Sequence, residues 1–163
     1  MDLAAALKQP IVVNTHNFFD GRWQAAISGQ CYPVVNPVNG KSFIEVADSD
    51  GIDAVHAANC AATAFISWQF STSRQRADLL EAWHALILAH ADDLAFIITT
   101  EQGKPLAEAK AEVAYGASYV KWFAQQAMQL RGDILPSAIA SRRQTVEKRP
   151  VGVVAVITPW NFP

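Results

Sequence analysis

The sequence predicts an α/β fold assembled in a fixed order: a small antiparallel sheet, four helices, a polar β arm, and the first strand of a parallel sheet. Three observations carry this reading. Turn-forming residues crowd positions 17–47, the apolar period lengthens to a helical one from Asp50 onward, and residues 151–157 form an apolar run without alternation.

In the first segment, Asp20-Gly21, Ser28-Gly29, Asn36-Pro37 and Asn39-Gly40 punctuate short runs such as Cys31-Tyr32-Pro33-Val34-Val35 and Ser42-Phe43-Ile44-Glu45-Val46. Dipeptides of this kind supply the backbone angles that tight hairpins need, which predicts a small antiparallel sheet. The first helix is expected to start at a cap on Asp50 and to carry Val55, Ala58, Ala62, Phe65 and Ile66 on one face. Thr72 followed three residues later by Gln75 has the spacing of a capping box, and it opens a second helix whose apolar side is Leu79, Leu80, Trp83, Leu86 and Ile87. A third helix is expected over 92–100. Gly103-Lys104-Pro105 then forces a break, because proline lacks an amide proton and disfavours helix in the residue before it. The fourth helix is expected from about 106 to 130, with Gly132 as its stop. Tyr115, Tyr119, Trp122 and Phe123 fall at helical spacing along it and are expected to pack.

Between 132 and 150 the residues are polar on both alternating faces: Arg143, Thr145 and Glu147 against Gln144, Val146 and Lys148. A ribbon of that kind cannot anchor itself in a core and is expected to pair with another strand or another subunit. The apolar run at 151–157 fits a strand covered on both faces, as in a parallel sheet between helices. Parallel neighbours each arrive through a crossover of a dozen or more residues. The chain offers one such strand, so the sheet is expected to be incomplete. The expected division is 1–131 for the small sheet and helices, 132–150 for an oligomerisation arm, and 151–163 for the first parallel strand.

Composition narrows the function classes. The 163 residues suffice for a single core, 51% of them are hydrophobic and 17% charged, and no apolar run approaches the ~20 residues of a membrane-spanning helix. A net charge of -2 argues against a nucleic-acid surface, and the local cluster of Arg142, Arg143, Lys148 and Arg149 reads as a solvated ribbon. MDLAAALKQP lacks the cationic start and apolar length of a secretory signal, so a cytoplasmic location is expected. Cys31 and Cys60 form no CxxC pair and read as structural residues, consistent with a reducing compartment. His16, His56, His84 and His90 show no ligand spacing and no metal site is expected. Glu108 and Glu112, one helical turn apart, would face a cation, but Lys104 and Lys110 nearby favour a solvated charged face.

Asn161 directly follows the apolar strand, where open α/β sheets place ligands. By position alone it reads first as a cap of the next turn and second as an oxyanion donor.

Pro159-Trp160-Asn161-Phe162-Pro163, behind a Val-Gly-Val start, resembles the strand-to-helix junction of the aldehyde dehydrogenase superfamily. The resemblance extends back through Phe19-Asp20-Gly21-Arg22-Trp23, Val35-Asn36-Pro37-Val38-Asn39-Gly40 and Glu101-Gln102-Gly103-Lys104-Pro105. The string EQGKPLAEAKAEVAYGASYVKWFAQQA is most similar to the succinate-semialdehyde dehydrogenase subgroup. The resemblance implies the N-terminal part of a Rossmann-like cofactor-binding domain and an enzyme in which a cysteine thiolate attacks the aldehyde. Hydride then passes to NAD or NADP and a glutamate activates the water that releases the acid. It implies that Asn161 donates to the oxyanion, that Ile157, Thr158, Pro159 and Trp160 border the cofactor cleft, and that Phe162 lies near the substrate tunnel. It further implies a small aldehyde as substrate and a homo-oligomer formed through 132–150, with neither membrane nor nucleic acid as partner. The family's nucleophile, general base and cofactor loop lie beyond its PWNFP motif, so this chain is expected not to turn over alone. Gly29-Gln30-Cys31 lacks the spacer of the nucleophile string. Glutarate semialdehyde is the alternative substrate within the family; outside it, the alternatives are a non-catalytic helical interaction module or the product of a decayed gene.

Overall fold

The computed structural model describes residues 6–8 and 13–163, so the N-terminal stretch read for a leader lies mostly outside the described residues. The small-sheet expectation resolves into two separate hairpins. Strands β1 (Asn17–Phe19) and β2 (Arg22–Gln24) pair antiparallel around Asp20-Gly21. Both turn residues have positive φ, 53° and 71°, which matches the strand twist that a two-residue hairpin requires. Strands β3 (Cys31–Val35) and β4 (Ser42–Ala47) pair antiparallel with an irregularity between Val34 and Val35. Their connection is closed by side chains: Asn36 Oδ1 accepts from the Val38 amide at 2.8 Å and Asn39 Oδ1 from the Lys41 amide at 2.9 Å.

Helix α1 (Gly51–Trp68) begins as the sequence predicts, on Asp50, with a reciprocal carboxylate at Asp53. Asp50 Oδ1 accepts from the Ile52 amide at 2.7 Å, while Asp53 Oδ2 accepts from the Asp50 amide at 3.1 Å. Asp53 is buried because its other oxygen accepts from the Ile27 amide at 2.9 Å, tying the helix start to the loop after β2. Helix α2 (Ser73–Ala89) opens on the Thr72–Gln75 capping box. It meets α3 (Ala91–Gln102) at a 69° bend on His90. Among the described residues no single helix is long and apolar enough to cross a membrane. Helix α3 ends on Gly103 in the left-handed conformation, and α4 (Leu106–Ala127) follows Pro105.

The core lies where α4 packs against α2 and α3. It is built from small residues: Ala95, Ala109 and Val113, flanked by Ile87, Leu94 and Ile98, with Ala77, Ala117 and Ala124 also buried. Small side chains at 109, 113, 117 and 124 let the neighbouring helices approach closely.

This pattern corrects two sequence expectations. Val55 and Ile66 on α1 are exposed, and so are Leu79, Trp83 and Leu86 on α2; among these faces only Phe65, Leu80 and Ile87 are half-buried. The stripe Tyr115, Tyr119, Trp122 and Phe123 is exposed as well, with the two tyrosine hydroxyls bonded to each other at 2.6 Å. Periodicity reports that a helix has an apolar face, and the exposed stripes have no neighbouring element among the described residues to cover them.

Residues 132–150 contain a hairpin of β5 (Asp133–Leu135) and β6 (Gln144–Val146), exposed on both faces. Arg142, Arg143, Lys148 and Arg149 are exposed, as a solvated ribbon requires. Gly132 is needed where it stands, since a Cβ there would lie 2.4 Å from the Val146 carbonyl oxygen. The expected parallel strand at 151–157 is not formed: the segment carries no ladder, and Val151 and Ile157 are 91% and 96% exposed. A strand exists through its hydrogen-bonded neighbour, and among the described residues the three sheets are two-stranded pairs with none of which this run is hydrogen-bonded.

Candidate functional site

The 159–163 turn does not extend freely from the fold. It folds back on the corner between α3 and α4, where the Gly103-Lys104-Pro105 break turns the chain. Gly103 ends α3 at φ 77°, and a Cβ on it would come within 3.2 Å of Pro37 Cγ, so the Asn36–Gly40 connection packs directly on this corner. Three parts distant in sequence thereby meet around an open groove of about 590 Å³, bordered by Pro37, Glu101, Lys104, Glu108, Trp160 and Asn161.

The turn itself is closed by the Phe162 amide, which donates to the Pro159 carbonyl at 3.2 Å. Gln102 Nε2 donates to the Trp160 carbonyl at 2.8 Å, and Lys104 Nζ donates to the Asn161 carbonyl at 2.8 Å. The same ammonium pairs with Glu112 and stands 4.3 Å from the centroid of the Phe162 ring. This corrects the reading of Glu108 and Glu112 as one solvated face: Glu112 and Lys104 are mostly buried against each other, and Lys110 pairs with Asp92 at 2.6 Å. Beside the groove, partial desolvation raises the Glu101 carboxyl above the ordinary glutamate range.

Of the residues singled out in the sequence, Asn161, Trp160 and Phe162 are brought together at this corner. Asn161 does not cap a helix; among the described residues its carboxamide has no hydrogen-bond partner, and it is exposed beside the groove. That leaves a neutral donor available to an oxygen carrying negative charge. Ile157 and Thr158 precede the turn and are exposed. The 157–160 surface carries apolar groups, one hydroxyl and an indole, but no cation. Cys31 is exposed on β3 and Cys60 is half-buried on α1; both are free thiols away from the corner. No group of three or more histidine, cysteine, aspartate or glutamate side chains suited to a metal ion occurs among the described residues.

Sequence reasoning missed Gln102 and Lys104. The available signal was their place in a Gly-Pro break, where side chains project from a corner rather than along a helix face. A larger open groove of about 790 Å³ at the α1–α2 elbow is lined mainly by apolar groups, including Trp68, Phe70 and Leu79, and has no convergent charged groups.

Residues 23–163 match the model of the aldehyde dehydrogenase family. The chain is 43% identical over 157 residues to a 3-sulfolactaldehyde dehydrogenase of Pseudomonas putida, covering 96% of this chain and 32% of that protein. It is 40% identical to a glutarate-semialdehyde dehydrogenase of Pseudomonas putida, covering 96% and 33%. The crystal structure of succinate-semialdehyde dehydrogenase from Burkholderia pseudomallei superposes with a TM-score of 0.93 at 43% identity, over 97% of this chain and 33% of that one. The chain thus spans about a third of the length of the curated relatives it matches.

Proposed function

The chain belongs to the aldehyde dehydrogenase family, and from that premise we propose that it supplies the N-terminal third of an NAD(P)-dependent enzyme oxidising a small aldehyde with an acidic tail. Succinate semialdehyde is the first candidate substrate and glutarate semialdehyde the second. The support is chemical: the aldehydes named for the three similar proteins each carry a carboxylate or a sulfonate. The single observation that carries the site is the free carboxamide of Asn161 on a turn whose backbone carbonyls are already taken.

In this reading the Asn161 amide donates to the aldehyde oxygen as it becomes an oxyanion, a bond stronger in the transition state than in the substrate. Ile157, Thr158, Pro159 and Trp160 border the cofactor, and Phe162 lines the approach of the substrate. When bound, NAD or NADP accepts the hydride. The nucleophile and the general base come from residues outside this chain, so the 163 residues alone are inactive. Residues 132–150 act as a subunit-contact arm, and the protein works in the cytoplasm.

A chimera tests the proposal: residues 1–163 joined to the remainder of the Burkholderia pseudomallei succinate-semialdehyde dehydrogenase. Cofactor reduction with succinate semialdehyde is expected, falling by about 10²–10³ in kcat on Asn161→Ala. A chimera indifferent to Asn161→Ala, or turnover by the 163-residue chain alone, overturns it.

A further inference from the structure

The contacts that reach across to the 160–162 carbonyls and ring start from one corner, and most of them start from one atom. Lys104 Nζ faces the Asn161 carbonyl, the Phe162 ring and Glu112 at once, and Gln102 adds the Trp160 carbonyl. The Lys104 and Glu112 side chains are 15% and 12% exposed, the least exposed ion pair among the described residues. An ammonium suits this place because its three donors diverge; the planar fork of arginine aims its donors into one plane.

We propose that Lys104, with Gln102 as a second anchor, is a positioning residue for Asn161. Lys104 holds the Asn161 carbonyl and the Phe162 ring, Gln102 holds the Trp160 carbonyl, and the carboxamide itself is left free for a ligand oxygen. Glu112 serves by fixing the ammonium from behind. The proposal rests on the reading of Asn161 as oxyanion donor, but its first test does not depend on catalysis.

In the 163-residue chain, backbone order parameters from ¹⁵N relaxation at Asn161 and Phe162 should lie near about 0.85 and fall below about 0.6 in Lys104→Met. Glu112→Gln retains the lysine and an acceptor for it, so it should leave both amides ordered. Unchanged order in Lys104→Met, or equal loss in Glu112→Gln, overturns the proposal whatever the enzyme does.

In the chimera, Lys104→Met should lower kcat at least about tenfold with KM within about twofold, since a misplaced oxyanion donor is missed in the transition state. The effect should vanish in an Asn161→Ala background, where nothing remains to position. Lys104→Met and Asn161→Ala effects that multiply overturn the positioning role, as does lost order with unchanged kcat. If Asn161→Ala is itself silent, the oxyanion reading fails, while the relaxation result still decides whether Lys104 holds the turn. If the variant chimera does not fold, the relaxation comparison decides alone.

Discussion

Asp53→Ala should destabilise the chain more than Asp50→Ala, although Asp50 is the N-cap residue. Asp50 is an exposed cap whose carboxylate bonds the Ile52 amide at 2.7 Å and reaches the Asp53 amide only at 3.4 Å, so its loss costs about 1 kcal/mol. Asp53 is 4% exposed and accepts from two amides, Asp50 at 3.1 Å and Ile27 at 2.9 Å. Bonds to a charged group contribute about 1.5–3 kcal/mol each, and Ile27 would be left with an unsatisfied amide, which places Asp53→Ala at about 2–4 kcal/mol. Asp53→Asn keeps one carbonyl acceptor and should fall between the two. Urea unfolding followed by far-UV circular dichroism gives the three midpoints, and hydrogen exchange at the Ile27 amide reports the lost bond directly. Equal costs for Asp50→Ala and Asp53→Ala, or unchanged exchange at Ile27, would refute the assignment of Asp53 as the tie between α1 and the β2 loop.

Three further outcomes follow from local geometry and charge. Gly132→Ala drives a Cβ into the Val146 carbonyl, so cross-strand nuclear Overhauser contacts between Ile134 and Thr145 should disappear while the helical signal stays unchanged. Gly103→Ala combines a left-handed φ of 77° with a Cβ 3.2 Å from Pro37; a loss of about 1–2 kcal/mol in urea is expected, with chemical-shift changes at Pro37 and Val38. The Asp92 carboxyl is held below its ordinary pKa by Lys110 first and Lys8 second. Its contribution is therefore fully present above the ordinary aspartate value and is lost as pH falls through the lower folded value; Asp92→Asn should flatten that acid-side dependence of the melting temperature and leave the alkaline side alone.

What was legible in the sequence was local chemistry. Asp50, Thr72 with Gln75, Asp20-Gly21 and Gly103-Pro105 each set backbone geometry within a few residues, and the structure follows them closely. What was not legible depends on neighbours far along the chain. The apolar rows of α1 and α2 and the aromatics of α4 are helical in period, yet α1 buries only Asp53, α2 buries Ala77, and α4 buries Ala109, Val113, Ala117 and Ala124, because helix packing selects the face that permits close approach. The run at 151–157 has strand composition without a partner strand, so composition alone could not make it a strand. At the site, Asn161 was legible from the motif that contains it. Lys104 was not, since its partners are 8 residues away at Glu112 and 57 away at Asn161.

The energetics of the 160–162 turn support the positioning role proposed for Lys104. Fixing the backbone of three residues costs about 3–6 kcal/mol at roughly 1–2 kcal/mol each. Against this stand two neutral bonds, from the Phe162 amide to the Pro159 carbonyl and from Gln102, contributing about 1 kcal/mol each, and a charged bond from Lys104, contributing about 1.5–3 kcal/mol. The ammonium over the Phe162 ring adds about 0.5–1 kcal/mol. The two sides nearly cancel. A turn held in balance responds to any single loss by more than its share, and removing Lys104 takes two of the three contacts that reach it from the corner, whereas removing Gln102 takes one.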